Sequence, residues 1–190
     1  AVAERFDSKE ERIEILDLGI RVQPTLVPFD HPLAGVNGVN NAILIEGEPI
    51  GEVMFYGPGA GAGPTASAVV ADILNIAGIN KIGGTKTGLD PLLSAKSWRK
   101  CTLINKAETL QRNYIRLTAK DSPGVIGSIG TCFGKSGVSI QSIVQFDTTD
   151  EHAEIVVITH KVKDGEMQNA LASINASSGI AGIEAHLGCL

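Results

Sequence analysis

"NYIRLTAKDSPGVIGSIGTCFGKSGVSIQSIVQF", residues 113–146, changes period twice along its length. At its start Ile115, Leu117 and Ala119 alternate with polar neighbours, the period of a half-buried strand. Pro123 and Gly124 then make a turn. Val125, Ile129, Cys132 and Phe133 follow at helical spacing, and Gly137 stands where a C-terminal glycine stop belongs. "VSIQSIVQF" returns to strand. Working outward, "HAEIVVITH" (152–160) reads as a second strand joined to it by the polar turn "DTTDE". "DGEMQNALASIN" (164–175) places Met167, Ala170, Leu171 and Ile174 on one helical face, and "IAGIEAHL" (180–187) closes with a strand. The order β-α-β-β-α-β predicts an α+β, ferredoxin-like unit, an antiparallel sheet with two helices on one face.

The first half has a different grammar. "ERIEILDLGIRVQPTLVP" holds extended, partly alternating segments, with Pro24 and Pro28 closing off any long helix. "HPLAGVNGVN" (31–40) is a turn-rich loop. "NAILIE" and "PIGEVMFY" predict a hairpin turning around Gly47-Glu48. "MFYGPGAGAGPTASAVVADIL" (54–74) then runs from strand through Gly57, Gly59, Gly61 and Gly63 into a helix over 65–77. Pro64 sits near its first turn, Gly78 at its stop, and Val69, Val70, Ile73, Leu74 and Ala77 form one stripe for burial. Residues 79 to about 112 lose periodicity and gather Gly, Thr, Lys and Pro, the best candidate for a domain boundary.

With 190 residues, net charge −5 and 43% hydrophobic residues, the chain suits one large or two small domains and lacks the basic balance of a nucleic-acid binder. No apolar run approaches the ~20 residues of a bilayer span, which predicts no membrane association. Cys101, Cys132 and Cys189 are odd in number and widely spaced, which predicts reduced thiols and a cytoplasmic protein. His31, His152, His160 and His186 show no metal-ligand spacing. There is no signal-peptide pattern, and the opening "AVAERFDSKEERIEIL" without Met reads as a fragment or processed chain.

Two stretches invite a functional reading. The glycines at 57–63 miss the G-x-G-x-x-G spacing, and no Walker lysine follows them. Residues without Cβ between a strand and a helix start still allow a ligand to approach the backbone, and the helix end favours an anionic group; tight packing is the competing reading. In "KDSPGVIG" (120–127) the amides of Gly124, Val125 and Ile126 open a helix with few intrahelical partners and suit a carboxylate. The competing reading is a helix start capped by Asp121 or Ser122. Asp30, His31 and the asparagines of "NGVNN" are either site residues or a loop bonded to itself.

Residues 31–74, with "YGPGAG…PTA", resemble the C-terminal part of the catalytic region of homoserine dehydrogenase, and "DSPGVIGSIGTCFGKSGVSIQSIVQ" resembles the ACT domain appended to many bacterial members. The resemblance divides the chain into a catalytic and dimerisation region (1–100) and an ACT regulatory domain (112–190). It implies hydride transfer between NAD or NADP and the aspartate-semialdehyde/homoserine pair, on the path to threonine and methionine. By motif match Gly61 would contact the cofactor, with Gly59 and Ala60 beside it. The catalytic lysine and the acidic residues that grip substrate would lie upstream, so no catalytic residue is assigned here and the chain alone should be inactive. The ACT likeness implies threonine as effector, held by Asp121, Gly124, Val125 and Ile126 with Gln141 from the second strand of a neighbouring copy, and hence a homo-oligomer paired through the ACT domains, the catalytic-region sheet, or both. The alternative is a non-enzymatic amino-acid sensor or assembly module.

Overall fold

A computed structural model describes residues 2–6, 15–82, 100–147 and 152–190. The turn "DTTDE" lies largely outside them, as do residues 83–99 of the candidate boundary. The chain separates into two compact units, residues 1–26 with 100–190, and residues 27–99.

The first unit is built on β7 (Leu110–Lys120), α2 (Val125–Lys135), β8 (Ile140–Asp147), β9 (His152–Thr159), α3 (Asp164–Asn175) and β11 (Ile180–Cys189). These pair antiparallel in the order β11-β7-β9-β8, the predicted β-α-β-β-α-β arrangement. Alternation decides which face is covered. Ile115, Leu117 and Ala119 from β7 and Ile155 and Val157 from β9 turn to the helices and meet Val125, Ile129 and Phe133 of α2 and Met167, Ala170, Leu171 and Ile174 of α3. Phe133 and Ile115 are fully buried, each such side chain contributing about 1.5–3 kcal/mol. Gly137, at φ +77°, follows the end of α2 in the left-handed region that only glycine enters freely.

The sequence did not foretell the additions to this sheet. β3 (Thr25–Leu26) lies parallel to the end of β11, and β10 (Val162–Lys163) pairs with the start of β7. A three-stranded sheet joins β1 (Val2–Phe6), β2 (Ile15–Arg21) and β6 (Lys100–Leu103), so residues 100–103 hold a strand and Lys106–Glu108 a 3-10 turn.

In the second unit β4 (Asn40–Gly47) and β5 (Gly51–Pro58) form the predicted hairpin, with a cis Glu48–Pro49 bond in its turn. Helix α1 (Ala62–Ile82) departs from expectation in three ways. It starts at Ala62, three residues early. It also runs through Gly78, since a glycine costs a helix interior only about 1 kcal/mol and no proline lies between it and Ile82. Finally, the stripe is not buried: Val69, Val70, Ile73 and Leu74 are all more than half exposed. Ala, Val and Ile surround this helix on every side, so no single face is singled out. By length and composition Ala62–Lys81 reaches the size of a membrane span, with mean hydropathy 1.3, which corrects the expectation that no run approaches it. Alanines and glycines between branched residues supply that average, and length and composition alone do not place the helix in a bilayer.

Candidate functional site

The glycine loop leaves β5 at Pro58 and enters α1 at Ala62. Gly59, Ala60, Gly61 and Gly63 are exposed. The glycines differ in what constrains them. A Cβ on Gly59 would overlap the Asn41 side-chain amide, so this position is set by packing within the hairpin. Gly61 adopts φ +123°, where L side chains are strained. Around Gly63 there is open space. Thr65 N–H donates to the Gly61 carbonyl at 3.1 Å and closes the first turn, while the amides of Ala62 and Gly63 precede any intrahelical acceptor. Open main chain at a helix start therefore fits an approaching phosphate-bearing group, with Gly61 shaping the turn and Gly59 making room for Asn41.

The neighbouring loop bonds to itself. His31 Nδ1 accepts from Leu33 N–H at 3.2 Å, Asn37 donates to the Gly35 carbonyl, and Asn40 donates to the Tyr56 hydroxyl at 2.7 Å.

In the first unit, residues 121–124 lead from β7 into α2. Gly124 is the N-cap residue, at φ +91°, and no side chain caps the helix there. Asp121 instead accepts from Gln145 Nε2 at 3.1 Å, which ties the turn to the edge strand β8. Capping by Asp121 or Ser122 is thereby overturned: the glycine cap turns the helix start away from both side chains. Val125 is buried in the core and its N–H donates to the Ser122 carbonyl at 3.4 Å, whereas Ile126 is 41% exposed. Gln141 stands four residues before Gln145 on β8, roughly 13 Å along the strand, and its Oε1 accepts from Arg112 Nη2 at 2.6 Å. Within one copy, then, Asp121, Gly124, Val125 and Ile126 come together and Gln141 does not join them.

A polar network that went unforeseen lies on the helix face at the other end of β7. Asn113, fully buried, donates to the Gln111 carbonyl at 3.2 Å and accepts from Gln111 Nε2 at 3.2 Å. Its backbone N–H donates to Thr159 Oγ1 at 3.1 Å. His186 Nε2 lies 2.9 Å from Asn113 Oδ1 and, facing an acceptor, carries the proton. Burial holds the His186 pKa below the ordinary imidazole value, with Asp164 opposing and Lys106 reinforcing that shift. A signal was present: Gln111 and Asn113 share the parity of Ile115, Leu117 and Ala119, the face that alternation assigns to the core.

In chain order, then, a glycine loop that opens a long helix is followed by a ferredoxin-like unit with a glycine-capped helix start beside an edge strand. Residues 2–74 match the family model for homoserine dehydrogenase and residues 113–179 that of the ACT domain. The chain is 51% identical over 158 residues to a homoserine dehydrogenase of Synechocystis, covering 83% of this chain and 36% of that protein. It is 34% identical over 176 residues to one of Corynebacterium glutamicum, covering 93% and 37%. A crystal structure of a homoserine dehydrogenase from Thiobacillus denitrificans superposes with TM-score 0.81 at 30% identity, covering 91% of this chain and 39% of that one. The chain thus spans somewhat more than a third of the length of these relatives.

Proposed function

We propose that this chain is the part of a homoserine dehydrogenase that lays the glycine loop against a nicotinamide dinucleotide and carries the effector-binding module. The intact enzyme would interconvert L-homoserine and L-aspartate 4-semialdehyde, the cofactor accepting or giving the hydride, with NAD or NADP as partner. The exposed main chain of Gly59, Ala60 and Gly61 at the α1 start carries this reading. Catalytic residues would lie outside residues 1–190, with 1–100 serving the catalytic and dimerisation region and 112–190 the ACT domain. The exposed apolar residues of α1 and of the β4–β5 ribbon, Ile43 and Phe55 among them, would be covered by the rest of the enzyme or by a second subunit.

For the ACT domain we infer threonine as effector. The amides of Gly124, Val125 and Ile126 would take its carboxylate, and Asp121, with Gln141 from a neighbouring copy, its ammonium or hydroxyl. Strand β8 is an open sheet edge with Val144 and Phe146 about half exposed, which supports pairing of copies there. Feedback requires that threonine bind one quaternary arrangement better than another. A cytoplasmic location goes with this reading.

Calorimetric titration of the purified chain with L-threonine, together with an assay for NADP-dependent homoserine oxidation, tests both parts. The reading expects saturable binding that Asp121→Asn weakens, and no turnover. Turnover by the chain alone, or threonine affinity indifferent to Asp121→Asn, would contradict it.

A further inference from the structure

In the first unit a cleft of about 220 Å3 is lined mainly by Gln23, Lys106, Gln111, Asp164, Gln168 and His186, with Pro24 and the end of β11 completing it. It lies ten residues back along β7 from Asp121, roughly 30 Å at strand rise, and shares no residue with the α2 start. Its volume exceeds the ~150 Å3 of an apolar cavity that admits benzene, but these walls are polar, so they suit a polar molecule of comparable size.

Two of the lining side chains are sealed from water elsewhere, Gln111 and Asp164 each being 7% exposed. Gln111 is held from both sides, its Oε1 accepting from Gln23 Nε2 at 2.7 Å and its Nε2 donating to Asn113. Asp164 is thinly partnered by comparison. Its carboxylate accepts one long hydrogen bond, from Gln168 Nε2 at 3.4 Å, and no ion pair reaches it among the described residues. Its place at the first position of α3 offsets part of the cost of burying that charge. A buried carboxylate so placed favours a cationic partner with hydrogen-bond donors. Lys106, an exposed residue, lines the same cleft, and His186, its Nε2–H committed to Asn113, keeps Nδ1 as an acceptor.

We propose that this cleft binds a free α-amino acid, with Asp164 receiving its ammonium, Lys106 its carboxylate, and the amides of Gln23 and Gln168 the polar part of its side chain. The site is separate from the effector site at the α2 start, and neither requires the other.

The test is a titration of the isotopically labelled 190-residue chain with L-threonine, L-homoserine and L-methionine, followed by amide NMR shifts. At least one of them should move the Gln111, Asn113, Gln168 and His186 signals saturably. Asp164→Asn, which keeps an acceptor for Gln168, should weaken that Kd about thirtyfold or more, as truncating one partner of a buried charge pair does, and Lys106→Ala, at an exposed side chain, should weaken it a few-fold. Asp121→Asn should leave it unchanged, and propionate and propylammonium alone should each bind at least about tenfold more weakly, since each meets only one of the two charges. No shift at these residues with any of the three amino acids, or a Kd unmoved by both cleft variants, overturns the proposal. Shifts confined to residues 121–126 would overturn it while leaving the effector reading intact, and shifts confined to the cleft would do the reverse.

Discussion

Helices α1 and α2 are both rich in apolar residues, and they end in opposite situations. Helix α2 gathers Val125, Ile129 and Phe133 on one face and loses all three to the core, while α1 carries Val69, Val70, Ile73 and Leu74 into solvent. Burial therefore follows from what a helix meets, not from its mean hydropathy. Amphipathic α2 needs one sheet face, which residues 110–190 provide. Apolar on every side, α1 needs neighbours all round, and the other described residues of its unit contribute one hairpin.

Mutations that separate the two helices give the largest expected contrast. Phe133→Ala should cost about 3–5 kcal/mol in the urea unfolding of the first unit, as truncation of a sealed aromatic does. Leu74→Ala, at a 66% exposed site, should change stability by less than about 0.5 kcal/mol. Equal losses would mean that α1 is packed in solution and would dissolve the contrast. Next in size is Asn113→Leu, which leaves Gln111 Nε2 and His186 Nε2 without their acceptor, while Thr159 Oγ1 keeps the backbone N–H of residue 113, and it should cost about 1–3 kcal/mol in the same assay. A neutral outcome would show the network to be dispensable packing.

The glycine loop supplies a finer contrast within a few residues. Gly63→Ala meets open space inside α1 and should raise helicity by circular dichroism, Ala being better than Gly by about 0.8–1 kcal/mol. Gly61→Ala, at φ +123°, should lower helicity through strain of about 1–3 kcal/mol at the helix entrance. If both raise it, the turn at Gly61 relaxes in solution.

The smallest effect is a pH dependence. The depressed folded pKa of His186 means that the unfolded chain binds more protons below the ordinary imidazole pKa of about 6.5. Stability should be full above that pH and fall as pH drops toward the folded value, and His186→Gln should flatten the fall. An equal pH slope in both proteins would remove His186 as its source.

How much could be read from the sequence divides along the same line. In the first unit, Ile115, Leu117 and Ala119 and the stripes of Phe133 and Met167 carried the right period because each element buries one face of its own. The hairpin was legible from its apolar runs and its turn. The length of α1 was not, since Gly78 resembles a stop and tertiary context decides whether it acts as one. The attachment of β3 to β11 was hidden because 26 and 190 are joined by pairing across the whole chain, as in Leu190 N–H to the Leu26 carbonyl at 3.1 Å. At the sites, the backbone opening at Gly61 and Gly124 was visible in glycine placement. The bond of Asp121 to Gln145 rather than Gln141 depends on strand register, which a single sequence leaves open.

In the proposed function, main chain at position 61 receives the dinucleotide. This contact is tested most directly by steady-state kinetics of Gly61→Val in the full-length polypeptide, with threonine binding measured alongside. A side chain that blocks the backbone approach should raise the KM for NAD or NADP by about tenfold or more, with threonine affinity unchanged. An unaltered cofactor KM in a folded, threonine-binding variant would contradict the account.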